Sequence, residues 1–216
     1  DGCHTVLDRI EPSYHQFIEE IITQPESSLM LGFEAQRFLG TKLDEGYDFY
    51  GYLEDDLIIN DPLFFQKLAH FNSYLDPTNL LLPQRVELPG EPHWVDRLFI
   101  DGPLDSAELS RLPLKHSDPF FLNSNLSNVQ FECPQNPHSG CYFLSHDQLK
   151  HWTEQSHWMD CDTSFISPLE SAATLGIAKT FQLWKPSFSF ASWFELQHWG
   201  TSFHSLIPQP SEFSPD

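Results

Sequence analysis

The sequence predicts an α/β fold, and three observations carry that expectation. An aromatic run over residues 47–53 favours a strand. Apolar residues recur at helical spacing over residues 12–23 and 61–74. Two Ser-x-x-Gln/Glu capping signals, at Ser145 and Ser167, start helices beside apolar runs that read as strands. Strands thus alternate with helices, the pattern of α/β proteins.

The elements follow in order. Residues 12–23 read as a helix, with Pro12 in its first turn and Tyr14, Phe17, Ile18, Ile21 and Ile22 on one face. Residues 33–39 form a second, shorter helix. The strand over 47–53 ends in Glu54-Asp55-Asp56, and Asp61-Pro62 then opens a helix to about Tyr74, with Asp61 as cap. Residues 76–139 are rich in Pro, Asn, Asp and Ser. Within them only 80–82 and 98–100 read as strands, and the rest reads as long loops of the kind that often bind ligands. Residues 140–144 form a strand, and the Ser145 capping box starts a helix carrying Leu149 and Trp152. The helix opened by Ser167-Pro168-Leu169-Glu170 is expected to end at Gly176, with a strand over 177–184. Residues 1–206 read as one domain and 207–216 as a loose, Pro- and Ser-rich tail.

Composition narrows the partners. A net charge of −20 with only 11 Lys and Arg argues against nucleic acid or an anionic membrane surface. No apolar run approaches the ~20 residues of a membrane span, and no signal peptide is visible at the front. Four cysteines suit a reducing compartment, so a cytoplasmic location is expected. Cys133, His138 and Cys141 admit a zinc reading, but no second pair has zinc-finger spacing.

Glu54, Asp55 and Asp56 are the sharpest signal. Three adjacent carboxylates between apolar runs repel one another unless something cationic compensates, and carboxylate oxygens suit Mg²⁺ or Mn²⁺. On an extended chain Glu54 and Asp56 share a face that Asp55 does not. The trio is expected at the end of a central strand, facing a cleft. The structural alternatives are a solvated acidic turn or caps for the helix that follows.

In these residues the chain resembles glycosyltransferases of the GT-A fold. Their acidic DxD-like motif is matched by Glu54-Asp55-Asp56, their sugar-site strand by residues 138–145, their acidic helix by Leu169-Glu170-Ser171, and their C-terminal His segment by residues 194–200. The resemblance spans roughly residues 1–205, and only the acidic motif is sharp. It implies a Rossmann-related mixed sheet flanked by helices, a nucleotide-sugar donor and a carbohydrate or other hydroxyl acceptor. Asp55, Asp56 and His198 would hold Mn²⁺ or Mg²⁺, with Glu54 and Arg85 completing the donor site. Glu170 would be the base that deprotonates the acceptor, with Asp160 and Asp162 as alternatives. The departure is at the front: little before Tyr14 supplies the strand and loop that bind the base in GT-A domains, so that strand is missing here or the donor site is unusual.

Each residue also has a plainer explanation. Glu170 fits a capping box, Asp160 and Asp162 an exposed loop, and His198 a packed position among Trp193, Trp199 and Phe203. Trp152, Trp158 and Trp199 serve sugar stacking or the core. Arg85 and Arg97 serve a phosphate or surface ion pairs. A carbohydrate-binding or scaffold protein without catalysis, and a metal-dependent phosphohydrolase, are the competing functions.

Overall fold

The computed structural model describes residues 7–90, 95–123 and 128–207. The expected tail falls mostly outside them. The strands are β1 (Tyr50–Leu53), β2 (Leu57–Ile58), β3 (Asn79–Leu81), β4 (Gln84–Glu87), β5 (Leu98–Phe99), β6 (Phe120–Asn123), β7 (Asn128–Glu132), β8 (Cys141–Leu144), β9 (Gln182–Pro186) and β10 (Glu195–His198). The α-helices are α1 (Leu31–Thr41), α2 (Phe64–Asn72), α3 (Ser106–Leu109), α4 (His146–Thr153) and α5 (Pro168–Thr180). The class is mixed α/β.

The strands form three sheets. β1 pairs antiparallel with β8, with Tyr52 opposite Tyr142. A second sheet has the order β2-β10-β4-β5, in which β10 is parallel to β4 and antiparallel to β2. A third has the order β3-β9-β7-β6, with β3 parallel to β9. β8 is buried at every position because its alternate side chains enter two different cores. Tyr142 and Leu144 join Trp152, Phe181 and Leu80, while Cys141 and Phe143 join Phe64, Phe131 and Phe194. β3 and β9 divide in the same way, with Leu80 and Leu183 in the first core and Leu81 and Trp184 in the second.

Several expectations change. Residues 12–23 are not an α-helix: a 3₁₀ turn spans Pro12–Phe17, and Phe17 and Ile22 remain 78% and 62% exposed. Helices in proteins are stabilised chiefly by burying an apolar face, and among the described residues no surface covers this stripe. The helix through Gly176 continues to Thr180. Gly176 lies under the Trp152 ring, where a Cβ would overlap the indole, so it serves close packing rather than termination. The following strand is accordingly β9, and Ile177 and Ala178 are core residues of α5. The stretch read as loops contains β4, β6 and β7.

Other expectations hold. α1 covers residues 33–39, and β1, β3, β5 and β8 lie where strands were expected. α2 starts after Asp61, whose carboxylate accepts from the Leu63 N–H at 2.8 Å. The Ser145 capping box is complete on both sides. At Ser167 it is altered: the hydroxyl accepts from the Leu169 N–H and itself donates to Glu170, whose carboxylate does not reach back to the Ser167 amide.

Candidate functional site

The acidic trio occupies the turn from β1 to β2, where the chain leaves one sheet and enters another. It is therefore not at the end of a central strand. The Glu54 N–H donates to the Gly140 carbonyl at 3.0 Å, and the Asp56 carbonyl accepts from the Trp199 N–H at 2.7 Å. These bonds tie the turn to the start of β8 and the end of β10. Glu54 and Asp56 are partly buried and Asp55 is exposed. Two cavities of the fold are lined by other residues.

The turn faces His198, the last residue of β10. His198 Nε2 lies 3.3 Å from Asp56 Oδ2, and its Nδ1 lies 3.0 Å from Glu87 Oε1. Glu87, at the end of β4, is fully buried. It also accepts from the Phe203 N–H at 3.3 Å and approaches His204 Nε2 at 3.4 Å. An ionised carboxylate only accepts, so the Nδ1 hydrogen is assigned to the Glu87 side. In the neutral ring, Nε2 then presents a lone pair to the Asp56 carboxylate. Two acceptors facing each other are short of a positive charge, which a proton or a cation supplies. Asp56 Oδ1 is buried and has no hydrogen-bond partner among the described residues. A His held through its second nitrogen by a carboxylate is a common metal-ligand arrangement.

Among the described residues no group of three or more His, Cys, Asp or Glu side chains forms a ready-made cage. Asp56 and His198 offer two donors, and Mg²⁺ or Mn²⁺ sites often combine one or two protein ligands with phosphate oxygens and water. A nitrogen donor favours Mn²⁺ over Mg²⁺.

Glu54 packs against Gly140, whose φ of +61° and lack of a Cβ let the carboxylate lie on the backbone. Burial pushes the Glu54 carboxyl up to about 7; Arg85 opposes the rise, and Asp56, Glu170 and Asp55 add to it. Glu54 thus senses both the acidic turn and Glu170, which stands in the first turn of α5, partly buried.

Asp160 and Asp162 belong elsewhere. Both accept from Lys179, at 2.5 and 2.8 Å, near the C-terminal end of α5. Glu170 is nine residues away at the other end, about 13 Å along the helix axis. The Lys179 and Ser164 hydrogen bonds hold the Asp162 carboxyl down to about 2. These acids are engaged in an ion-pair cluster with Lys179.

Arg85 is also committed, in a buried pairing rather than a surface one. Its Nε donates to Asp101 at 2.8 Å, and Lys185 donates to the same carboxylate at 2.8 Å. Arg97 pairs with Glu195. Cys133, His138 and Cys141 do not converge: Cys133 bonds to Ser117 and Gln182, His138 Nδ1 lies 3.0 Å from Thr174 Oγ1, and Cys141 is a core thiol. Among the described residues Cys133, Cys141 and Cys161 are free. Trp152 and Trp158 pack edge to face in the core region, 4.9 Å between centroids, whereas Trp199 is 67% exposed beside Asp56 and His198.

His138 gives a pH prediction. Burial lowers its pKa from 6.5 to about 3. Between those values the unfolded chain binds a proton that the native state refuses, so this contribution to stability is complete above 6.5 and declines as pH falls towards 3. His138→Gln is expected to lose less stability than the parent between pH 7 and about 4.5, by ~2 kcal/mol. Urea unfolding at the two pH values checks this, and parallel losses in both proteins would contradict it.

No protein-family model, curated protein or solved structure matches the chain. Sequence reading missed Glu87, which lies in the stretch read as loops, and His204. A carboxylate flanked by Val86 and Leu88 was the available signal, since a charge in an apolar strand needs a partner.

Proposed function

We propose that the protein is a metal-dependent glycosyltransferase of GT-A-like design, moving a sugar from a nucleotide diphosphate to a hydroxyl acceptor. The observation that carries the reading is the Asp56–His198 pair, with Nε2 3.3 Å from Oδ2, backed by buried Glu87 and carrying an unpartnered carboxylate oxygen. Asp56 and His198 would hold Mn²⁺ or Mg²⁺, which when bound neutralises charge on the departing diphosphate. Asp55, exposed at the turn, is free of the pair and available to the donor's ribose or to water. Exposed Trp199 offers an indole face to a sugar ring. Arg85 has no part in phosphate binding in this scheme, because Asp101 occupies it.

Glu170 is the proposed base. It takes the acceptor's hydroxyl proton as the acceptor oxygen bonds to the anomeric carbon and the sugar–phosphate bond breaks, releasing the nucleoside diphosphate. Ala172, two residues further along α5, and the Tyr52 hydroxyl both lie against Gly32, which supports a place for this end of α5 near β1. Glu170→Gln can still accept the Ser167 hydroxyl and should barely move the melting temperature. Turnover should fall on the order of 10²–10⁴ fold. Turnover within a few fold of the parent would leave Glu170 a purely structural role.

The reading is tested by incubating the protein with Mn²⁺ and a panel of UDP-, GDP-, ADP- and dTDP-sugars, following donor cleavage by mass spectrometry. Slow, metal-dependent release of nucleoside diphosphate from one donor class is expected. A panel untouched with and without metal would overturn the assignment.

A further inference from the structure

One cavity of the fold lies away from the acidic turn. It encloses about 780 Å³, within the range of small-molecule sites. Phe49, Phe65, Ala69, Asn72, Asp48 and Asp147 are among its lining residues. Phe49 precedes β1 and Glu54 follows it, so the cavity and the acidic turn are separated along the strand by about 17 Å.

The lining has a definite chemistry. Phe65 is 42% exposed, yet its ring is fixed by three others: tilted on Phe49 at 5.5 Å, and edge to face with Phe64 and Phe143 at 5.3 and 5.4 Å. A rigid, open aromatic face is a stacking platform rather than a core residue. The Asn72 amide is buried at the wall, and neither its Oδ1 nor its Nδ2 has a partner among the described residues. Buried amides are seldom left so, and Asn72 is part of the cavity wall. It would meet a group that both donates and accepts. Exposed Asp48 and Asp147 add acceptors, and among the described residues the lining contains no Lys or Arg. That set disfavours phosphates and carboxylates and suits a ring with an apolar face edged by hydroxyls.

We propose that this cavity is a neutral oligosaccharide-binding site, distinct from the Asp56–His198 centre: one sugar ring stacks on Phe65, and its hydroxyls bond to Asn72 and the rim carboxylates. The site needs no metal and no nucleotide, so it stands or falls apart from the transferase reading.

The test is calorimetric titration of the full chain in EDTA with maltohexaose, cellohexaose, xylohexaose and chitohexaose, and with spermidine as the cationic control. One of the four glycans should bind. Phe65→Ala should weaken it about tenfold through loss of the stacking face. Ala69→Trp, at an exposed position of α2 that lines the cavity, should block it while leaving the fold intact. Asp56→Asn should leave glycan affinity unchanged. The proposal is overturned if no glycan binds, if only spermidine binds, if both cavity variants bind as well as the parent, or if Asp56→Asn abolishes binding.

Discussion

Asp101→Ala is expected to cost about 3–5 kcal/mol of stability, the usual consequence of stripping one partner from a buried ion cluster. The carboxylate is 1% exposed and accepts from the Arg85 Nε at 2.8 Å, the Arg85 N–H at 3.1 Å and the Lys185 Nζ at 2.8 Å. Burial alone pushes the Asp101 carboxyl up, but Lys185 and Arg85 outweigh it and hold it below the usual carboxylate range. Arg85 belongs to β4 and Lys185 to β9, so this one side chain joins two sheets. Without it, two buried cations remain without the carboxylate that both bond. The double variant Asp101→Asn with Lys185→Met removes one charge of each sign and should be less damaging than Asp101→Ala. Urea unfolding distinguishes them. A loss under about 1 kcal/mol for Asp101→Ala would show that the cluster contributes little.

Asp56→Asn should lower the proposed transferase turnover on the order of 10²–10⁴ fold, as expected when several kcal/mol of charge stabilisation on the leaving group are lost. The substitution preserves shape and the backbone bond to Trp199, so folding should persist. It also removes one of three adjacent negative charges and so relieves repulsion within the acidic turn. The melting temperature without metal should therefore hold or rise. Undiminished turnover in the Asn variant would remove Asp56 from the donor site.

Much of the fold was legible where one local rule dominates. The Asp61 and Ser145 caps and the aromatic run of β1 were found because local hydrogen-bonding or propensity decided the outcome. Rules failed where tertiary contacts decided. Gly176 reads as a helix stop, and only the Trp152 ring above it explains why the helix continues. The stripe over residues 12–23 reads as a helix, and nothing in the sequence says that no surface meets it. β7 was hidden in a loop-like composition, although Val129 and Phe131 alternate with polar neighbours as a half-buried strand should.

The site divides in the same way. Asp56 was visible from charge density in an apolar context, and His198 only through the resemblance. Their juxtaposition depends on β10 pairing with β2, a long-range contact that spacing cannot encode. The partners of Asp160, Asp162 and Arg85 were not legible, because an isolated charge in sequence does not reveal its partner, here Lys179 and Asp101.

The most direct measurement is calorimetry of nucleoside diphosphate binding to the intact chain with and without Mn²⁺, repeated with His198→Ala. If Asp56 and His198 form a metal-dependent donor site, UDP, GDP or ADP should bind with Mn²⁺ and not in EDTA, and His198→Ala should weaken the complex at least about tenfold. Binding that is equal with and without metal, or unchanged by His198→Ala, would contradict the account.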